Sequence, residues 1–248
     1  MFPIRDHNPS GRKPYVTHAL VAANIAVFLS CWLGIRDDAA LGWFFWQWGL
    51  VPGKVTQGRD LIGILTSMFL HAGWLHLAGN MLFLWIFGDN VEDELGHVRF
   101  FGFYFAGGAM AAAGQVLSGP HSPIPMIGAS GAIAAVLGGY LLMFPKARVD
   151  VLFIFVIFFR IFPIPAWIVL GLWFGLQVFS GLNTPSNGGG VAYWAHAGGF
   201  VGGVLLVLPL WLSRGGTRFW AENNGAPAGQ SADDPLEKSQ IPNVVRRR

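Results

Sequence analysis

A single cysteine, Cys31, in 248 residues excludes an intramolecular disulfide and any cysteine-based metal site. Charge is scarce too: Asp, Glu, Lys and Arg make up 12% of the chain, against about 25% in an ordinary soluble domain, while hydrophobic residues reach 53%. A surface so poor in charge is not one that water holds, so the chain is read as a membrane protein, with one domain in the membrane. The formal net charge is only +3, and the basic residues are scattered around the apolar segments rather than massed, which argues against a nucleic-acid footprint. There is no H-E-x-x-H helix and no convincing internal repeat, and no cofactor is expected.

What is present is a succession of apolar runs. Because runs long enough to cross a bilayer recur along the whole chain, the first is not a signal peptide in front of a soluble body. Six spans are expected, near 15–33, 61–87, 100–118, 127–144, 166–179 and 191–211. The expected fold class is therefore an all-α membrane protein, a six-helix bundle over residues 15–212. A polar N-terminal segment, 1–14, precedes it, and a disordered, basic-ended tail, 213–248, follows.

Arg5, Arg12 and Lys13 precede the first span, Lys146 and Arg148 follow the fourth, and Arg214 and Arg218 close the sixth. By the positive-inside rule both termini are cytoplasmic, with the anionic inner lipid surface as partner. The short chain without a targeting extension leads to the expectation of a prokaryotic plasma membrane. The outer loop 34–60 carries Trp43, Phe44, Phe45, Trp46 and Trp48 and suits a segment embedded at the interface; an ordinary aromatic belt fits it equally well. Residues 89–99 read as a short acidic loop, and 151–162 as an interfacial or re-entrant piece whose Arg160 snorkels to the headgroups.

The organising stretch is 120–131, P-H-S-P-I-P-M-I-G-A-S-G. Its three prolines cannot sit inside a helix, so helix begins near Gly128 and Ser130 falls in a first turn. With about fifteen residues below it at about 1.5 Å each, Ser130 lies roughly 22 Å above the inner interface, inside a hydrocarbon core of about 30 Å. First-turn N–H groups have no intrahelical partner, and beside glycines they can face developing negative charge.

A second helix answers that serine. The sixth span opens A-H-A-G-G-F-V-G-G from Ala195, and His196, counted from Trp211, lies at the same depth. Gly199 and Gly203 form a small-residue face below it, matched by Gly131, Ala135 and Gly139 on the serine helix, so the two backbones can approach until hydroxyl and imidazole meet. The second span adds His71, His76 and Asn80; His76 and Asn80 lie about 40° apart on one helical face, whereas His71 is about 140° from His76 and suits the turn before the helix. Polar side chains at this depth usually face a bundle interior or a water-filled cavity and mark function, although hydrogen bonding to neighbouring helices would also account for them.

On G-A-S-G at 128–131, A-H-A-G-G-F-V-G-G at 195–203 and the polar trio of the second span, the chain resembles the rhomboid intramembrane serine proteases. The resemblance implies Ser130 as nucleophile and His196 as general base in a dyad without a carboxylate. It implies His76, Asn80 and the main chain around Gly128 and Ser130 as the oxyanion and substrate-binding set, and His71 as a residue linked to water retention. It also implies transmembrane proteins as substrates, an embedded outer loop, a mobile loop before the sixth span, and an acidic structural turn at 91–96.

Two departures stand out. Some members carry an aromatic ring one turn after the nucleophile, where this chain has Ala134, and some a Trp-Arg pair where it has Ile62-Gly63. Three other readings remain. A catalytically inactive rhomboid-like protein binding transmembrane helices would normally lack the nucleophile or base. A transporter would more often carry intramembrane acids, which the second, fourth and sixth spans lack. A zinc hydrolase on His71, His76 and His196 would lack the usual accompanying carboxylate.

Overall fold

The computed structural model describes residues 2–155, 158–185 and 189–222. The described chain is mostly helical. Helices α1 (Tyr15–Gly34), α2 (Asp38–Trp48), α3 (Pro52–Val55) and α4 (Gly63–Thr66) lead through a 3-10 turn, Ser67–Phe69, to α5 (Trp74–Leu95). Next come α6 (His97–Ser118) and α7 (Ser130–Met143), then α8 (Ala166–Asn183), α9 (Tyr193–Ser213) and α10 (Thr217–Glu222). Four helices, α1, α6, α8 and α9, are long and apolar enough to cross a membrane; the pair Gly63–Phe69 and Trp74–Leu95, bent by 95°, makes a fifth if counted as one span.

The second expected span is thus broken at Leu70 to Gly73, and His71 sits in the break rather than on the helix. The fourth, α7, is a 14-residue helix, only about 21 Å long at about 1.5 Å per residue. It starts late because the proline-bearing stretch before it is non-helical.

Two loops of the sequence reading are structured. Residues 89–95 continue α5, and only Gly96, at φ 75°, separates it from α6. The apparent acidic loop is helical because its carboxylates have partners within the fold. Glu92 is buried and accepts the N–H groups of Val16 and Thr17 at 2.9 and 2.7 Å and the Thr17 hydroxyl at 2.7 Å, capping the first turn of α1. Glu94 pairs with Arg214 at 2.8 Å, tying the ends of α5 and α9 together.

The piece expected to be interfacial is a hairpin, β2 (Arg148–Phe155) and β3 (Phe158–Pro165), extended by β1 (Phe2–Asp6) into an antiparallel sheet of order β1-β2-β3. Val149 and Val151 are buried in apolar packing, and Asp150 between them is buried against Arg5 and His7, its side chain on the opposite face as the two-residue repeat of a strand requires. Pro163 and Pro165 are tolerated because β3 is an edge strand. Arg160 is exposed on that strand. The tail expected from 213 also begins with structure: Trp220 of α10 donates to the Leu142 carbonyl at 2.9 Å. The rest of that expectation, 223–248, lies outside the described residues, as do 186–188 of the loop before α9.

The core sits around α7, buried along nearly its whole length and packed between α5, α6 and α9. Its contact with α9 is backbone on backbone. A Cβ on Gly199 would lie 2.1 Å from the Gly131 carbonyl oxygen, one on Gly203 1.9 Å from that of Ala135, and one on Gly138 2.1 Å from that of Phe200. Gly138, rather than the expected Gly139, makes the tightest approach from α7. Only glycine permits this spacing.

Candidate functional site

Ser130 opens α7 because Gly128, at φ 127°, turns the chain in a conformation that side-chain-bearing residues rarely adopt. The Gly128 N–H donates to the Ser67 carbonyl at 2.8 Å, so this glycine is not itself a free oxyanion donor. Its contribution is space: a Cβ here would meet His76 Nε2 at 2.8 Å.

From α9, His196 presents Nε2 to the Ser130 hydroxyl at 2.7 Å, and the imidazole is buried. The two side chains singled out in the sequence therefore meet, held by backbone contacts that begin at Gly131 beside the serine and at Gly199 one turn after the histidine. They share a cavity of about 220 Å³ with His76, Asn80 and Trp173. Asn80 is buried and donates one Nδ2 hydrogen to the His76 carbonyl at 2.8 Å, leaving a second hydrogen on the same nitrogen.

His71 does not line this cavity. It is buried with neither ring nitrogen partnered, and it borders a separate cavity of about 360 Å³ between α1 and α2. Its ring meets that of His76 edge-on, with centroids 5.0 Å apart, so each of two touching histidines lines a different cavity. Among the described residues no group of three or more His, Cys, Asp or Glu is arranged to hold a metal ion.

Both departures noted in the sequence have structural answers. The aromatic neighbour of His196 comes not from the serine helix but from α8, where Trp173 lies 5.7 Å from the imidazole, centroid to centroid, at 33°. Gln177, one turn further along the same face, places Oε1 2.8 Å from His196 Nδ1. Sequence reasoning missed Gln177, although a lone amide in the apolar run 166–179 was a visible signal.

The loop 34–60 is held without the Trp-Arg pair. Thr66 Oγ1 donates to the Trp48 carbonyl at 2.5 Å, Leu50 and Met126 exchange backbone hydrogen bonds at 2.9 and 2.8 Å, and Gly53 N–H donates to Ser122 at 3.0 Å. Gly63 takes part by its lack of a side chain, since a Cβ there would stand 2.5 Å from the Gly49 carbonyl oxygen. The loop is thereby docked on the proline stretch that precedes Ser130. Helix α2 buries none of its own residues and leaves Trp43, Trp46 and Trp48 exposed, as an interfacial helix would.

A family model described as "Rhomboid domain" matches residues 58–213. Rhomboid protein 1, mitochondrial, of Saccharomyces cerevisiae is 30% identical over 204 residues, covering 77% of this chain and 51% of that protein. Rhomboid protease GluP of Bacillus subtilis is 36% identical over 204 residues, covering 82% of this chain and 36% of that protein. Presenilin-associated rhomboid-like protein, mitochondrial, of Homo sapiens is 33% identical over 95 residues, covering 37% of this chain and 24% of that protein. The chain spans about half or less of the length of each. Relatives named as mitochondrial give the expected prokaryotic plasma membrane no support; the chain is a membrane protein with several apolar helices.

Proposed function

The chain belongs to the rhomboid family, and on that premise we propose that it is an intramembrane serine endopeptidase acting through Ser130 and His196. The observation that carries this reading is the 2.7 Å approach of Ser130 Oγ to His196 Nε2 at an open cavity also lined by His76 and Asn80. Counting the bent pair and the short α7, the chain crosses the membrane six times, with both termini on the inner side.

Peptide hydrolysis needs a nucleophile, a base that takes its proton and returns it to the leaving amine, and donors for the tetrahedral oxyanion. Ser130 attacks the scissile carbonyl as its proton passes to His196 Nε2. The oxyanion then forms against the Ser130 main-chain N–H, the second Asn80 hydrogen and the His76 ring. His196 next donates its proton to the leaving nitrogen, and water repeats the attack to release the acyl group from Ser130. The substrate is a transmembrane segment of another membrane protein, cut near the outer interface, where the loop 34–60 docks on the stretch that precedes Ser130.

The test is cleavage of a model transmembrane substrate by purified wild type, Ser130→Ala and His196→Ala in detergent. Loss of cleavage in both variants with folding intact supports the dyad, and unchanged cleavage in either removes that residue from it. A wild type that captures the substrate without cutting it is instead a rhomboid-like binder of transmembrane helices.

A further inference from the structure

We propose that Gln177 is the positioning residue for the base, fixing His196 in the tautomer that can accept the proton of Ser130. The proposal rests on the peptidase reading for its kinetics, but its geometry stands apart from it.

A neutral imidazole carries one N–H, and only the nitrogen without it can act as base. Ser130 Oγ lies 2.7 Å from Nε2, so the hydroxyl can donate there only if the hydrogen resides on Nδ1. That N–H then needs an acceptor in a buried site, because an unmatched donor away from water is costly. Gln177 Oε1, at 2.8 Å from Nδ1, is that acceptor. The half-buried side chain reaches in from α8, with Trp173 one turn earlier on the same helix against the ring. Side-chain groups thus reach both ring nitrogens, Ser130 at one and Gln177 at the other. Should the ring instead carry its hydrogen on Nε2, that nitrogen would donate to the serine and the dyad would have no base.

An amide differs from the carboxylate of a three-membered relay in being neutral. It orients the ring but adds no full charge to stabilise the imidazolium formed during attack. A hydrogen-bond acceptor of either charge should therefore suffice at position 177, and an apolar residue of similar size should not.

The experiment compares wild type, Gln177→Leu and Gln177→Glu for cleavage kinetics on a transmembrane substrate. It adds the nitrogen NMR spectrum of histidine-labelled protein in micelles, with the His196 signals assigned by their loss in His196→Ala. Gln177→Leu is expected to lower kcat by about 10- to 100-fold, up to the lower limit of the roughly 100- to 10,000-fold usually supplied by a general base, with KM held within about 2-fold. Its spectrum should move from hydrogen on Nδ1 toward hydrogen on Nε2. Gln177→Glu should restore most of kcat and the wild-type tautomer.

Wild-type rates in Gln177→Leu with an unchanged tautomer overturn the proposal. So does an equal loss of activity in both variants while the tautomer stays as in wild type. If wild type cleaves nothing yet shows an Nδ1 hydrogen that Gln177→Leu loses, the peptidase reading fails and the positioning role stands.

Discussion

Gly199 stands against the carbonyl oxygen of Gly131 so closely that a Cβ on it would lie 2.1 Å from that oxygen. The contact lies at the residue next to Ser130 and one turn from His196, and it sets the separation of the two helices that carry them. No shift of a flexible side chain can relieve it, because the obstructing atom is backbone.

A single methyl group should therefore be felt at the site. Gly199→Ala is expected to reduce cleavage by about 100-fold, since a displacement near 1 Å between reacting groups can cost that much. Gly171→Ala on α8, where a Cβ meets nothing within 4 Å, is the matched control and should retain activity. Parallel rate measurements on the two variants decide it; equal activities would show that α7 and α9 absorb the methyl without moving the dyad.

Glu92 is predicted to matter for folding and not for chemistry. Its buried carboxylate accepts two main-chain N–H groups and a hydroxyl at the start of α1 and also meets His97 Nδ1 at 2.6 Å. Glu92→Ala should lower stability by about 3 kcal/mol by leaving those donors unmatched. Denaturant unfolding in micelles measures the loss, and a midpoint equal to wild type would show that water replaces the cap.

Asp6 gives a pH dependence with a definite sign. Burial raises its carboxyl from the ordinary 3.8 to about 7, against the opposing hydrogen bond from Tyr140 and with the Asp89 charge adding to the rise. The Tyr140 hydroxyl donates to Asp6 Oδ2 at 2.7 Å, joining β1 to α7. Between pH 3.8 and about 7 the folded chain holds this proton and the unfolded chain does not. Stability should therefore fall as pH rises through that window and level off above it. In Asp6→Asn this part of the slope should be absent, which thermal unfolding of both proteins from pH 4 to 8 will show.

Cleavage should favour transmembrane substrates whose helix is weak near the cut. A peptide bond within an intact helix is shielded and its carbonyl engaged, whereas Gly or Pro frees it. Inserting one Gly or Pro beside the cut site of a poor substrate should raise its cleavage rate, and removing one from a good substrate should lower it. A substrate panel insensitive to both changes would refute this preference.

Much of the site could be read in advance because its signals are local. The prolines of 120–125 force helix to begin near Ser130, and the glycines at 199 and 203 mark a face for close approach. Apolar runs likewise outlined the long helices. Other features depended on distant partners. Residues 89–95 look like an acidic loop until Val16 and Thr17 are seen to donate to Glu92, and 151–162 look membrane-bound until β1, nearly 150 residues earlier in the chain, pairs with β2. The 140° between His71 and His76 pointed to a turn before the helix, and the break at Leu70 to Gly73 holds His71 there, but only the packing of α1 and α2 shows that it borders a different chamber.

By itself the sequence determined that the chain lies in a membrane, and that a serine and a histidine lie on glycine-lined helices, since hydropathy, proline and glycine act within a few residues of where they stand. Which side chain would hold the far nitrogen of His196 was decided only by tertiary structure. Gln177 is 19 residues away on another helix, and its role depends on how α8 is rotated against α9, a property of packing that no local pattern encodes.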